Sequence, residues 1–176
     1  MSMRDRSNRY GAVSRFLHWA MTAIIAWQFT TVLARILIKD SALDNFLWST
    51  HKASGLLIIV LALLRLLWAL SNTGRRPQPV NVVSRVGHAA LYALMIAVPA
   101  LALLRQYGSG RAFEALGVRV FAGFDTGKIT WMTDLGSLLH SNLGWLLFVA
   151  IVGHVAMVIW HQIKTPEQNV LPRMWR

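Results

Sequence analysis

Four long apolar runs, Phe16–Ala34, Leu47–Leu70, Ala89–Leu104 and Leu138–Trp160, limit what this chain can fold into more than any other feature. A helix needs roughly 17–25 mostly apolar residues to cross the hydrocarbon core of a bilayer, and each run reaches that length, the third only with its flanks. A helix satisfies its own backbone hydrogen bonds where no water can help, so lipid selects helices for such runs. The runs predict helices over about 14–38, 47–70, 84–106 and 136–162, an all-α, four-helix transmembrane bundle filling residues 1–176 as a single integral membrane domain. Composition agrees, because only 14% of residues are charged where a soluble domain carries roughly 25%.

Charge orients the bundle. An even number of spans leaves both termini on one side, together with Arg4, Arg6, Arg9, Arg15, Arg65, Arg75, Arg76, Arg85, Lys164, Arg173, Arg176, Asp5 and Glu167. The other side carries Arg35, Lys39, Lys52, Arg105, Arg111, Arg119 and Lys128 with Asp40, Asp44, Glu114, Asp125 and Asp134. Eleven basic residues face seven, so the positive-inside rule puts both termini in the cytoplasm. The net charge of +11 would suggest nucleic acid in a soluble protein; here the membrane accounts for it, and no nucleic-acid partner is expected. Nothing resembling a small-residue cleavage site follows the first run, which reads as a retained helix. The absence of cysteine excludes thiolate metal sites, Cys-ligated iron–sulfur clusters, covalently attached c-type haem and disulfides.

The connections are short apart from one. Asp40, Ser41, Asp44 and Asn45 make a polar outer turn in which Ser41 or Asp44 caps the second helix. Ser71–Gly74 and Pro77–Pro79 form an inner loop of helix-breaking residues, and Pro99 predicts a kink in the outer half of the third helix. The stretch from Tyr107 to Asp134 is rich in glycine but carries Phe113, Phe121, Phe124 and Trp131, so it is expected to fold over the outer end.

The histidines supply the chemistry. His140 and His154 are fourteen residues apart on the fourth helix, which is about 40° short of four full turns and a rise of about 21 Å. One face of one helix thus presents imidazoles at two depths. His51 matches His140 in the outer leaflet and His18 matches His154 in the inner leaflet. Two bis-imidazole sites between facing helices are what two six-coordinate haems require, and an iron so ligated favours electron transfer over oxygen chemistry. Gly55 follows His51 by four and Gly144 follows His140 by four, each leaving room for a porphyrin face one turn from its ligand. Arg65 follows His51 by fourteen, so it lies at the inner depth, where a haem propionate would offset the cost of a cation in lipid. A lone histidine in a membrane helix is commonly an interfacial anchor. The matched depths, glycines and arginine together are what favour ligation. His88 has no fourth-helix partner left and is open to a structural or a quinone-pocket role. His161, seven beyond His154, is open to a quinone contact or to anchoring.

Phe16-Leu17-His18-Trp19, His51-Lys52-Ala53-Ser54-Gly55, Leu64-Arg65-Leu66-Leu67-Trp68, His88-Ala89-Ala90-Leu91-Tyr92, His140-Ser141-Asn142-Leu143-Gly144 with His154, and Leu171-Pro172-Arg173-Met174 carry a resemblance over nearly the full length. In this order the chain resembles the bacterial four-helix cytochrome b561 family. The resemblance implies a di-haem b core, a place in the bacterial inner membrane, and exchange of electrons with the quinone pool, ubiquinone being the expected acceptor. It further implies activity of the superoxide:ubiquinone oxidoreductase (superoxide oxidase) type. His51 and His140 would then hold the outer haem, His18 and His154 the inner one, and His161 falls where the family has a histidine at the quinone pocket. Two stretches depart from the pattern: Glu167-Gln168-Asn169 before the terminal Arg-Met, and Ser109-Gly110-Arg111 in the outer loop.

Lys52, Arg105 and Arg111 are expected at the outer end, where a local positive field would raise the encounter rate of an anion as small as superoxide. A different function uses the same haems: a membrane anchor and electron carrier for a separate dehydrogenase or hydrogenase, which would copurify with that redox partner protein and ignore superoxide. A haem-free transporter of divalent metals is disfavoured, since such sites take oxygen ligands and the spans hold almost no carboxylate.

Overall fold

The computed structural model describes residues 2–164 and 170–175. Four helices, α1 (Ala12–Leu37), α2 (Ala42–Ser71), α3 (Val82–Gly108) and α4 (Thr130–Lys164), are long and apolar enough to cross a membrane. A two-stranded antiparallel hairpin, β1 (Phe113–Ala115) and β2 (Val118–Phe121), interrupts the connection between α3 and α4, and a short α5 (Leu171–Trp175) ends the chain. In the most apolar stretch of α4 only 6% of residues are buried within the chain, so most of its apolar surface is left to meet lipid. Leu138, Leu146, Val149, Val152 and Val155 are among the residues exposed along it.

Sequential neighbours pack together, α1 on α2, α2 on α3 and α3 on α4, and the rings of Phe29 and Phe148, 5.0 Å apart, bring α1 to α4. The core draws on all four helices: Met21 and Ile25, Ile58 and Ala62, Met95 and Val98, and Leu147. Its depth has a simple origin. Ile25, Ile58, Met95 and Leu147 each follow a histidine (His18, His51, His88, His140) by seven residues, two helical turns on the same face. An apolar layer therefore lies midway between two histidine levels. At the end away from both termini, the expected outer end, α3 and α4 cross closely, because a Cβ on Gly136 would come within 2.6 Å of Arg105 Cβ and 2.7 Å of the Leu101 carbonyl oxygen.

Local chemistry sets the ends. α2 starts at Ala42, well before the expected position 47, because the Asp44 N–H donates to Ser41 Oγ at 3.1 Å and so satisfies one of the free donors of its first turn. Asp44, fully buried, also pairs with Arg35 at 3.0 Å and ties the end of α1 to the start of α2. α4 starts at Thr130, before the expected 136: the Thr133 N–H donates to the Ile129 carbonyl, and polar Thr130, Thr133 and Asp134 are good outer-end residues although no apolar run marks them. The hairpin was not foreseen. Leu116 and Gly117, with φ of 54° and 77°, make a two-residue turn between its strands. Phe113 and Ala115 are buried, and β1 lies against α2, so the long connection does fold onto the outer end.

The inner end is tied by polar contacts. Asp5 accepts from the Gly11 N–H at 2.8 Å and pairs with Arg76 at 3.3 Å. The Tyr10 N–H donates to the Arg173 carbonyl, Arg173 Nη1 to the Gln78 carbonyl, and Trp19 Nε1 to the Met174 carbonyl. The beginning of the chain, the loop between α2 and α3, and α5 thus meet at one end. Glu167-Gln168-Asn169 and Arg176, weighed above from the sequence, lie outside the described residues.

Candidate functional site

At the outer level the rings of His51 on α2 and His140 on α4 face each other with centres 6.4 Å apart and planes at 87°. A metal–imidazole bond is about 2 Å, so two imidazoles on opposite sides of one metal have ring centres roughly 6 Å apart. His140 Nδ1 lies 3.0 Å from the Val98 carbonyl oxygen, beside Pro99 of α3. A carbonyl only accepts, so Nδ1 carries the proton and Nε2 keeps its lone pair for a metal. His51 Nδ1 lies 2.7 Å from Thr31 Oγ1, and the Thr31 hydroxyl lies 2.8 Å from the Gln28 carbonyl oxygen, to which it donates. The Gln28 amide nitrogen stands 3.2 and 3.1 Å from the two ring nitrogens of His51, and Ser54 Oγ donates to its amide oxygen. Trp48 stacks on His51 at 4.6 Å, with the Arg35 guanidinium 4.8 Å from the centre of a Trp48 ring.

At the inner level His88 on α3 meets His154 on α4, ring centres 5.5 Å apart. His88 therefore does have a fourth-helix neighbour, contrary to the expectation from depth alone. Arg65, His18, His88 and His154 lie within electrostatic range of one another. Arg65 sits over the Tyr92 ring at 5.4 Å and forms no ion pair with a carboxylate among the described residues. His18 Nδ1 and the Tyr92 hydroxyl are buried without a hydrogen-bond partner among the described residues. Buried polar atoms are normally satisfied, so this level is suited to a polar, metal-bearing group with anionic arms.

The glycines and donors fit a haem. A Cβ on Gly144 would meet nothing within 4 Å, and one on Gly55 would meet only Gln28 Nε2 at 3.6 Å. A planar macrocycle against Gly55 needs the Gln28 amide, the end of a flexible side chain, to turn aside. Among the described residues no three or more of His, Asp and Glu gather as metal ligands. The outer level offers the His51–His140 pair to a metal whose remaining ligands come from elsewhere, as in a porphyrin, while at the inner level the ring pair in contact is His88 with His154 rather than the expected His18 with His154.

The steering cations divide. Lys52 donates to Gln106 Oε1 at 3.0 Å, and Gln106 Nε2 donates to the Arg111 and Ala112 carbonyls, which pins the outer loop to α2 and α3. Arg111 lines an outer depression of about 370 Å³ with Tyr107, Phe121 and Phe124, while exposed Arg105 lies on the crossing of α3 with α4. Four of the five outer acids are engaged elsewhere, Asp40 and Asp44 with Arg35, Glu114 with Arg119 and Asp134 with Lys128, while Asp125, next to Phe124, forms no ion pair among the described residues. At the other end a shallow apolar groove runs along Ala156, Ile159, Trp160, Ile163 and Lys164, and His161 is not among its lining residues.

Comparison with known proteins decides the family. The family model for prokaryotic cytochrome b561 matches residues 9–176. The chain belongs to the prokaryotic cytochrome b561 family. Cytochrome b561 homolog 2 of Escherichia coli (strain K12) is 26% identical, over 99% of this chain and 95% of that protein. As a cytochrome b561, the chain is an integral membrane protein of electron transfer built around haem b. Sequence reasoning missed Thr31, Gln28, Trp48 and the Val98 carbonyl as neighbours of the outer histidines. Polar Gln28 and Thr31 within an apolar run were the available signal; a backbone carbonyl leaves none.

Proposed function

We propose that the chain carries two haem b groups, the outer held by His51 and His140 and the inner by His18 and His154, and passes electrons from superoxide outside to ubiquinone at the inner end. The reading supposes an inner-membrane protein with both termini cytoplasmic. The observation that carries it is the outer pair: two imidazoles at 6.4 Å, with His140 fixed in the tautomer that a metal ligand needs. Bis-imidazole haem supplies reversible one-electron exchange without an open coordination position. The protein's own residues do the rest. Val98 and Thr31 orient the outer imidazoles; Arg65 supports the inner site by offering a guanidinium to propionate; Gly55 and Gly144 leave space at the helix faces.

Lys52, Arg105 and Arg111, which have no carboxylate partner among the described residues, would draw an anion toward the outer level. Two superoxide anions release two electrons and two molecules of oxygen, and a quinone takes those electrons with two protons to give the quinol. His161 is the candidate proton donor at the quinone.

The deciding experiment records the visible spectrum of purified protein while superoxide is generated, with and without added dismutase. Growth of a sharp b-type α-band that dismutase abolishes is the expected outcome. Haem bands that respond to dithionite but not to superoxide would favour a carrier subunit serving a separate dehydrogenase or hydrogenase. Protein without haem bands after expression with ample haem would refute the reading.

A further inference from the structure

We infer that Thr31 is a positioning residue for the outer haem, setting the tautomer and donor strength of His51. The inference rests on the proposal that His51 is a haem ligand. Thr31 is wholly buried on α1, in one of the two polar positions that α1 turns toward His51. Its hydroxyl has one proton, and the Gln28 carbonyl 2.8 Å away takes it, the usual bond of a helical threonine to the preceding turn. The 2.7 Å contact with His51 must then run the other way, Nδ1–H donating to Thr31 Oγ1.

No equivalent acceptor replaces it. Gln28 reaches both ring nitrogens with its amide nitrogen, which only donates and so bonds to Nε2 until a metal takes that nitrogen, and its amide oxygen is taken by Ser54. The two outer imidazoles are thus held differently. His140 leans on a main-chain carbonyl that no substitution removes, whereas His51 leans on a side-chain hydroxyl. The electron density pushed onto His51 Nε2, and with it the potential of the outer haem, is therefore set at position 31.

Donation from Nδ1–H makes an imidazole a stronger ligand and favours the ferric state. Removing the acceptor should loosen the ligand and raise the potential. The test compares haem-loaded Thr31→Val, close in shape and lacking the hydroxyl, with Thr31→Ser, which keeps it; Thr31→Ala serves if the valine variant does not accumulate. His51→Ala identifies which haem is the outer one, by its loss. In Thr31→Val the outer haem should hold about tenfold more of its reduced form at a fixed ambient potential, an upward shift of about 59 mV. Its affinity for haem should fall about 10–100-fold, and its low-spin ferric spectrum should change. Serine should restore all three. Unchanged potential and affinity in Thr31→Val, with His51→Ala still losing one haem, would overturn the inference and leave the ligand assignment standing. A His51→Ala protein that retains both haems would overturn both.

Discussion

A histidine can serve as a ligand only when one ring nitrogen is available for the metal, and at the outer level hydrogen bonds occupy Nδ1 of both rings. The Val98 carbonyl takes the proton side of His140, and Thr31 the proton side of His51. Replacing His140 with alanine should therefore halve the haem content, measured as pyridine haemochrome per protein, with the inner haem kept. Gly144 offers a different lever, because a side chain there meets nothing within 4 Å of its Cβ. Gly144→Leu should leave the helical content intact by circular dichroism and cost one haem, since leucine would fill the open space that the proposed haem needs. The placement of the histidines, glycines and Arg65 on the helices was legible because their spacing is carried on single helices, whereas their roles at a haem belong to the proposal. Thr31 was not, because twenty residues and a helix turnaround separate it from His51, and no periodicity links the two. His88 was misjudged for a related reason: depth does not say which way a ring turns, and His88 turns onto His154.

Whole elements were readable to the extent that lipid dictates them. The apolar runs located all four long helices, but the helices outrun them at the outer ends of α2 and α4, where capping and ion pairs rather than hydropathy decide. The Arg35–Asp44 pair carries one such end. Asp44 is fully buried, and Arg35 keeps a quarter of its side chain exposed. Asp44→Ala leaves that arginine the longer, 3.7 Å contact with exposed Asp40 and removes a first-turn acid, and should cost about 1–3 kcal/mol, seen as a lower temperature for loss of the haem bands. Gly136→Val tests the crossing of α3 with α4. Its side chain would collide with the Leu101 carbonyl and Arg105, so overpacking should cost about 1–3 kcal/mol without touching a histidine. The hairpin escaped prediction because Leu116 takes a left-handed conformation that few leucines adopt, and glycine at 117 alone does not announce a strand pair.

Across the whole molecule, the seven-residue offset between histidines and core places an apolar layer of Ile25, Ile58, Met95 and Leu147 between the two histidine levels, the proposed haem sites. That layer is a dielectric between two plates. The levels are separated by about 21 Å along α4, roughly two-thirds of a hydrocarbon core of about 30 Å. An electron exchanged between them would cross that share of the transmembrane voltage, worth about 1.5 kcal/mol per 100 mV. A voltage negative on the inner side would then oppose inward flow, holding electrons at the outer level by about tenfold per 100 mV. In sealed vesicles, imposing a potassium diffusion potential should shift the reduction balance between the two haems, and an ionophore that collapses it should return the balance to its starting point. A cytochrome built in this way would work as a voltage-sensing element as much as a wire.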